Sequence, residues 1–374
     1  MRIGVPKEIK DNETRVGLTP GAVRELTSLN HEVYVETGAG EKGGYEDCDY
    51  VNAGAEILLA KKDVYGKADF ITKVKELLPE EYGYLREGLI IGAGLHSNAH
   101  PDEVDVLLEK KVTAIAYEDI TDGRGGSPAV KPQSPIAGKG AVLMAAHYMS
   151  GPCGGPGIML AGIPGCEAAH VTVIGAGNVG LGAAEAAAGL GNWVTVLDLD
   201  IDALNHAKVC LPPNVEFLFS TKENLIRCLA KTDLLVNCVL WPKTRKGHLV
   251  DRDMLKNYAK KTLFIADVSC DVNGAIETCV KASSHSNPLY VEEGFVHYAV
   301  DNIPAAFGRT ASQTFCQPMI PHIKAIANKG VDQALKDSAY LRHGLTTYNG
   351  ILTLEETAIK QNRMYKTPEE VLGI

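Results

Sequence analysis

Short β-rich apolar runs alternate with amphipathic stretches along the first third of the chain. RIGVP (2–6) and HEVYVET (31–37) read as strands, and residues 20–28 and 53–61 as helices. Further strands are expected in ADFITKV (68–74), LIIGAGL (89–95) and VTAIAYE (112–118), with helical material at 77–88 and 101–111 between them. Strands that alternate with helices imply a parallel sheet, because each crossover must carry the chain back to the same sheet edge. The pattern then breaks at TDGRGGSPAVKPQSPIAGKG (121–140), whose Gly, Pro and Ser content marks a hinge, with a helix expected from about Ile136. A second series of strands follows: HVTVIG, WVTVLDLD, NVEFLF, DLLVNCVLW and TLFIADVS, the first two separated by an Ala-rich helix. Beyond about Asp301 the pattern is helical, and these helices are expected to return and complete the first domain. The fold expected is α/β: two doubly wound Rossmann-like domains, the first discontinuous (1–128 and 306–374) around a central one (129–305).

The second series carries a nucleotide signature. VTVIGAGNVG places Gly175, Gly177 and Gly180 directly after an apolar strand and before a helix. In that context the first glycine allows the tight turn, the second lets backbone approach a pyrophosphate, and the third lets helix and strand pack closely. WVTVLD ends in Asp198, where a carboxylate can accept hydrogen bonds from an adenosine ribose and would repel a 2′-phosphate. The cofactor expected is NAD rather than NADP.

Composition narrows the partners. With 374 residues the chain exceeds a single core, and its net charge of -9 gives no general attraction for nucleic acid or an anionic membrane. A small-molecule partner is expected. The 9 cysteines are scattered with no C-x-x-C pair, which suggests reduced thiols in the cytoplasm. The N-terminus has no apolar signal region, and no run of about 18 apolar residues follows. His96 and His100 lie four apart in a loop-like segment with no third ligand nearby, so no metal site is expected.

Redox chemistry on a small acid needs an anion clamp, a carbonyl polariser and a proton-transfer group. Lys75 closes one strand, His96 another, and Arg15 follows the first, so all three can meet at the carboxyl edge of one sheet, where α/β ligands bind. Taken singly, Lys75 and Arg15 also fit solvated surface charges. Asp271 follows TLFIADVSC and fits either a carboxylate facing the nicotinamide end of the cofactor across an interdomain cleft or a cap for the segment after it.

Taken together, MRIGVPKEIKDNETRVGLTPGAV, TKVKE, Leu95–His96, AIAYE and VTVIGAGNVG resemble the alanine dehydrogenases over nearly the whole chain. The resemblance extends to the N-terminal part of the proton-translocating transhydrogenase α subunit. It implies NAD-dependent, reversible deamination of L-alanine to pyruvate and ammonium, usually by homohexamers. By position it implies substrate binding by Arg15 and Lys75 and acid–base roles for His96 and Asp271. Implied cofactor contacts are Ser134, Asn178, Val179, Asp198, Ser220, Val239, Leu240, Val268, Ser269, Cys270, Asp271, Val300, Asp301, Asn302 and Ile303. Four departures stand out. Gly94 replaces a common aromatic residue, the usual DQGG turn reads Asp271, Val272, Asn273 and Gly274, Ala203 replaces a common basic residue, and NCVLWPKTRKGHLV is more similar to carboxyethylornithine synthases, which join an amino acid reductively to pyruvate. An opine-type or other amino-acid dehydrogenase of the same family is the alternative.

Overall fold

The computed structural model describes residues 1–121, 126–242 and 245–374, so four residues of the Gly/Pro/Ser segment and Lys243 and Thr244 lie outside the described residues. Two compact units are present, 1–133 with 307–374, and 134–306.

In the first unit the strands are β1 (Arg2–Val5), β2 (Glu32–Glu36), β3 (Glu56–Leu58), β4 (Phe70–Lys75), β5 (Ile90–Gly94) and β6 (Thr113–Ala116), and all pair in parallel. The helix Pro20–Thr27 starts where expected, with the Thr19 hydroxyl accepting the Ala22 N–H and proline in its first turn. The helix expected over 53–61 is not there. Gly54, at φ 92°, ends the helix Asp47–Asn52, and Glu56–Leu58 instead pair with Tyr34–Glu36 as an edge strand. The segment 77–88 forms helix only at Pro79–Tyr82.

The second unit holds β7 (His170–Ile174), β8 (Trp193–Asp198), β9 (Val215–Phe219), β10 (Leu234–Asn237), β11 (Phe264–Asp267), β12 (Leu289–Glu292) and β13 (Phe295–Tyr298), in the order β12-β13-β11-β10-β7-β8-β9. The chain steps from one side of β7 to the other between β9 and β10. That is the switch point at which doubly wound sheets bind ligands. The antiparallel β12–β13 hairpin, which turns at Glu293 (φ 49°) and Gly294 (φ 88°), was not visible in the hydrophobic pattern.

The returning chain is only partly helical. Helices Gly308–Lys329, Val331–Asp337 and Ala339–His343 are followed by β14 (Leu345–Tyr348) and β15 (Ile351–Leu352), and β14 adds antiparallel to β6. The first sheet thus runs β15-β14-β6-β5-β4-β1-β2-β3. One of its faces is covered by a single core in which Val16, Leu18, Val23 and Leu26 pack with Phe315, Met319, Ile323 and Ile326 of the long returning helix.

Candidate functional site

Four parallel strands of the first unit end at one edge, and the expected residues lie there. Arg15 follows β1, Lys75 is the last residue of β4, and His96 stands two residues beyond β5. Arg15 is buried and locked: Nε and Nη2 donate to the two carboxylate oxygens of Glu13 at 2.7 and 2.6 Å, and Nη1 donates to Gln133 at 3.4 Å. Glu13 therefore fixes the plane of the guanidinium. Sequence reasoning did not single out Glu13, although a carboxylate two residues from a candidate clamp arginine was the available signal.

Lys75 is partly buried, and among the described residues no carboxylate lies within ion-pair distance of its ammonium. Burial lowers its pKa, with help from Lys10 and Arg15 and against the pull of Glu76 and Glu13. An ammonium held without a partner beside a second cation favours an anionic or carbonyl ligand.

His96 adopts a left-handed backbone conformation, φ 47° and ψ 40°, rare for a residue with a side chain. Glu118, just after β6, stabilises it by accepting the His96 N–H at 2.5 Å, and lies 3.7 Å from Nδ1. Partial removal from water and then the Lys75 ammonium push the imidazole down to about 4, with Lys10 and His100 acting in the same direction and Glu76 opposing. The ring is therefore neutral near pH 7 and able to accept a proton. Behind it, burial raises Glu118 to about 7 and Glu103 to about 8. Glu76 stays low despite burial because Lys10 bonds it at 2.8 Å. Gly94 lets β5 run close to β4: a Cβ there would stand 2.8 Å from the Val74 carbonyl and 3.8 Å from His96 Nε2.

In the second unit the glycine loop joins β7 to the helix Asn178–Gly189. Gly175 has φ 103°, a conformation that favours glycine, and a Cβ on Gly180 would collide with the carbonyl of Gly175. At Gly177 a Cβ would meet nothing within 4 Å, so this is the place left open for a ligand's close approach. Asn178 and Val179 begin the helix and present its unbonded N–H groups. Ser134 lies in the first turn of Gln133–Tyr148, which packs on the glycine-loop helix so tightly that a Cβ on Gly182 would stand 2.7 Å from the Pro135 carbonyl.

Asp198 ends β8, with Oδ2 accepting the Ala176 N–H at 2.6 Å and Oδ1 the Asp200 N–H at 2.9 Å. It lines one small pocket with Ser220 and Val239, and the buried Ser220 hydroxyl has no partner among the described residues. An orphaned hydroxyl next to a carboxylate suits a polyol such as ribose. Leu240 is exposed. Two residues absent from the sequence-based set shape the next turns. Asn237 and Asp267 end the paired strands β10 and β11, and the Asn237 amide donates to Asp267 at 2.9 Å. Asp267 then accepts the N–H groups of Ser269 and Cys270, and the Val268 N–H bonds the Asn237 carbonyl. Polar residues ending two apolar strands were the signal for them. Asp271 does not cap the segment after it through its side chain; Oδ2 accepts the Trp241 N–H at 2.9 Å and ties this turn to the one after β10. Val300 to Ile303 follow β13, with the Asn302 carbonyl 2.8 Å from His285 Nε2.

Two α/β units, one with a glycine loop at the switch point of its sheet and one with Arg15, Lys75 and His96 at its carboxyl edge, define a Rossmann-type protein. The descriptions of the alanine dehydrogenase/PNT family match residues 4–137 (N-terminal domain) and 141–355 (C-terminal domain), and the chain belongs to that family. It is 43% identical to an alanine dehydrogenase of Bacillus subtilis, covering 100% of this chain and 98% of the relative, and 40% identical to one of Methanococcus maripaludis, covering 100% of both. A solved L-alanine dehydrogenase superposes with a TM-score of 0.92 at 35% identity over 97% of this chain and 99% of that one. A transhydrogenase of Sinorhizobium meliloti shares the fold, with a TM-score of 0.80 at 22% identity over 95% of this chain and 100% of that one. Among the described residues, no helix is long and apolar enough to cross a membrane.

Proposed function

We propose that this chain catalyses the reversible reaction of L-alanine, NAD and water to pyruvate, ammonium and NADH. The observation that carries the reading is the set of Arg15, locked by Glu13, the unpaired Lys75 and the neutral His96 at one sheet edge. In the direction of deamination, Arg15 holds the substrate carboxylate as a planar fork. Lys75 stabilises the oxygen that becomes the carbonyl of pyruvate. His96 takes and returns the protons of the carbinolamine as water adds and ammonia leaves. Asp271 is the second acid–base group. Held by the glycine loop and Asp198, a bound NAD would supply the acceptor for the hydride that leaves the alanine Cα. The fit of the second unit to NAD is supported by the open space at Gly177 and by Asp198 beside the orphaned Ser220 hydroxyl, with Val239, Leu240, Val268 to Cys270 and Val300 to Ile303 as further contacts.

We assign the protein to the cytoplasm, in keeping with 9 cysteines of which none forms a disulfide. Assembly as a homohexamer follows from the family resemblance. An opine-type activity is favoured by one observation: the segment NCVLWPKTRKGHLV is more similar to carboxyethylornithine synthases than to the usual family pattern. The assay that separates the readings is NADH oxidation with pyruvate, comparing ammonium with ornithine and lysine as nitrogen donor, and NADPH with NADH. Turnover with ammonium and NADH supports alanine dehydrogenase. Turnover only with a second amino acid would replace it with the opine reading.

A further inference from the structure

The small pocket at the switch point of the second sheet has an additional wall. Ile174, Val239 and Leu249 give it apolar sides, Asp198 and Ser220 a polar end, and Arg245 lines it as well. The guanidinium of Arg245 lies over the indole of Trp241, 4.4 Å from the ring centroid. Trp241 itself does not line the pocket and is buried, so Arg245 is the member of the pair that the pocket exposes. Two bonds hold the backbone of the pair: the Trp241 backbone N–H donates to Asp271 at 2.9 Å, and the Arg245 backbone N–H donates to the Pro242 carbonyl at 2.8 Å. Among the described residues, no carboxylate lies within ion-pair distance of Arg245.

We propose that Arg245, backed by Trp241, is the residue that stacks on the adenine ring of the cofactor and discriminates for adenine dinucleotides. The inference rests on the reading of this unit as an NAD cradle. A guanidinium is flat, weakly hydrated and permanently charged, so one face can lie on the indole while the other covers a second π system. Adenine supplies such a face, and the apolar sides of the pocket suit its edges. A 2′-phosphate is disfavoured as the partner of this cation, because it would have to sit beside the Asp198 carboxylate at the same polar end. Lysine, a compact point charge, cannot reproduce the stack.

The test is equilibrium binding of NADH, ADP-ribose and NADPH to the full chain and to its Arg245→Ala and Arg245→Lys variants, with steady-state kinetics alongside. Arg245 is exposed, so both variants should fold. Arg245→Ala is expected to weaken NADH and ADP-ribose by about tenfold and to raise the KM for NADH with kcat retained, and Arg245→Lys to recover little of the loss. Affinities within about twofold of wild type in Arg245→Ala would overturn the assignment, as would a loss confined to NADPH, which would make Arg245 a reader of phosphate. A wild-type chain that binds neither NADH nor ADP-ribose would instead remove the dinucleotide reading and this inference with it.

Discussion

At the scale of single residues, burial and then a neighbouring cation set the protonation of the histidine. Removal from water and the Lys75 ammonium together push the His96 imidazole down to about 4, well below the usual histidine range. Lys75→Met should therefore raise the His96 pKa, and an NMR titration of the ring would read it; an unmoved value would show that the Lys75 charge is not felt. His96→Ala should abolish turnover while NADH binding persists, because none of the groups assigned to the dinucleotide lies on β5. Loss of NADH binding by a folded variant would contradict that separation. Asp198→Ala should raise the KM for NADH far more than it lowers kcat, since a ribose contact is remote from hydride transfer. It carries a second effect that the motif did not reveal, because Asp198 also holds the Ala176 N–H of the glycine loop. Arg15, Lys75 and His96 were legible because residues at strand ends point to the carboxyl edge whatever the details of packing. Glu13 and Glu118 were not. Their roles depend on side-chain contacts, and each looks like an ordinary surface acid in the sequence.

At the scale of elements, the three glycines of the loop do different work, and the difference is measurable. Gly180→Ala places a methyl against the Gly175 carbonyl, so it should lower the melting temperature and cofactor affinity together. Gly177→Ala meets nothing within 4 Å in the protein, so the fold should melt as wild type while NADH affinity falls. Equal melting temperatures for the two variants would refute this division of roles. The loop was readable because strand, turn and helix are contiguous and each glycine answers a local demand. The edge strand β3 was not, because Glu56, Ile57 and Leu58 carry no period and became a strand only by pairing with β2. For the same reason β14 was hidden: Thr347 pairs with Ala114 across most of the chain.

For the whole molecule, stability against pH is set by buried groups that the fold keeps neutral. His297 is fully buried on β13 and stacked on Tyr290 with ring centroids 5.0 Å apart, and burial pushes it down to about 4 from a usual value of 6.5. Its folded-state pKa is lowered, so its full contribution is present above the unfolded value and is lost as pH falls from about 6.5 to about 4. A shift of that size corresponds to about 3 kcal/mol. His297→Phe, which keeps the stack, should gain melting temperature over wild type as the pH is lowered through that window. Glu103 behaves in the opposite sense. Burial raises it to about 8, so its contribution is present below the usual carboxylate value of 4.5 and is lost as pH rises through about 8. Glu103→Gln keeps an oxygen for the Leu77 N–H, so its melting temperature should rise above that of wild type towards about pH 9. Parallel melting curves for variant and wild type at all pH values would contradict the assignment in either case.

The sequence alone determined the α/β class, the return of the C-terminal chain to the first unit, the glycine cradle with its aspartate, and the strand-end triad of Arg15, Lys75 and His96. Each of these follows from local spacing: the period of apolar residues, the conformational freedom of glycine, and the rule that parallel strands deliver their last residues to one edge. Tertiary structure alone decided the strands β3 and β12 to β15, the fork of Glu13 on Arg15, the raised carboxyls of Glu118 and Glu103, and the stack of Arg245 on Trp241. These depend on which side chains burial brings together and how far water is excluded. Spacing along the chain does not encode the electrostatics of a site whose parts come from four separate strands.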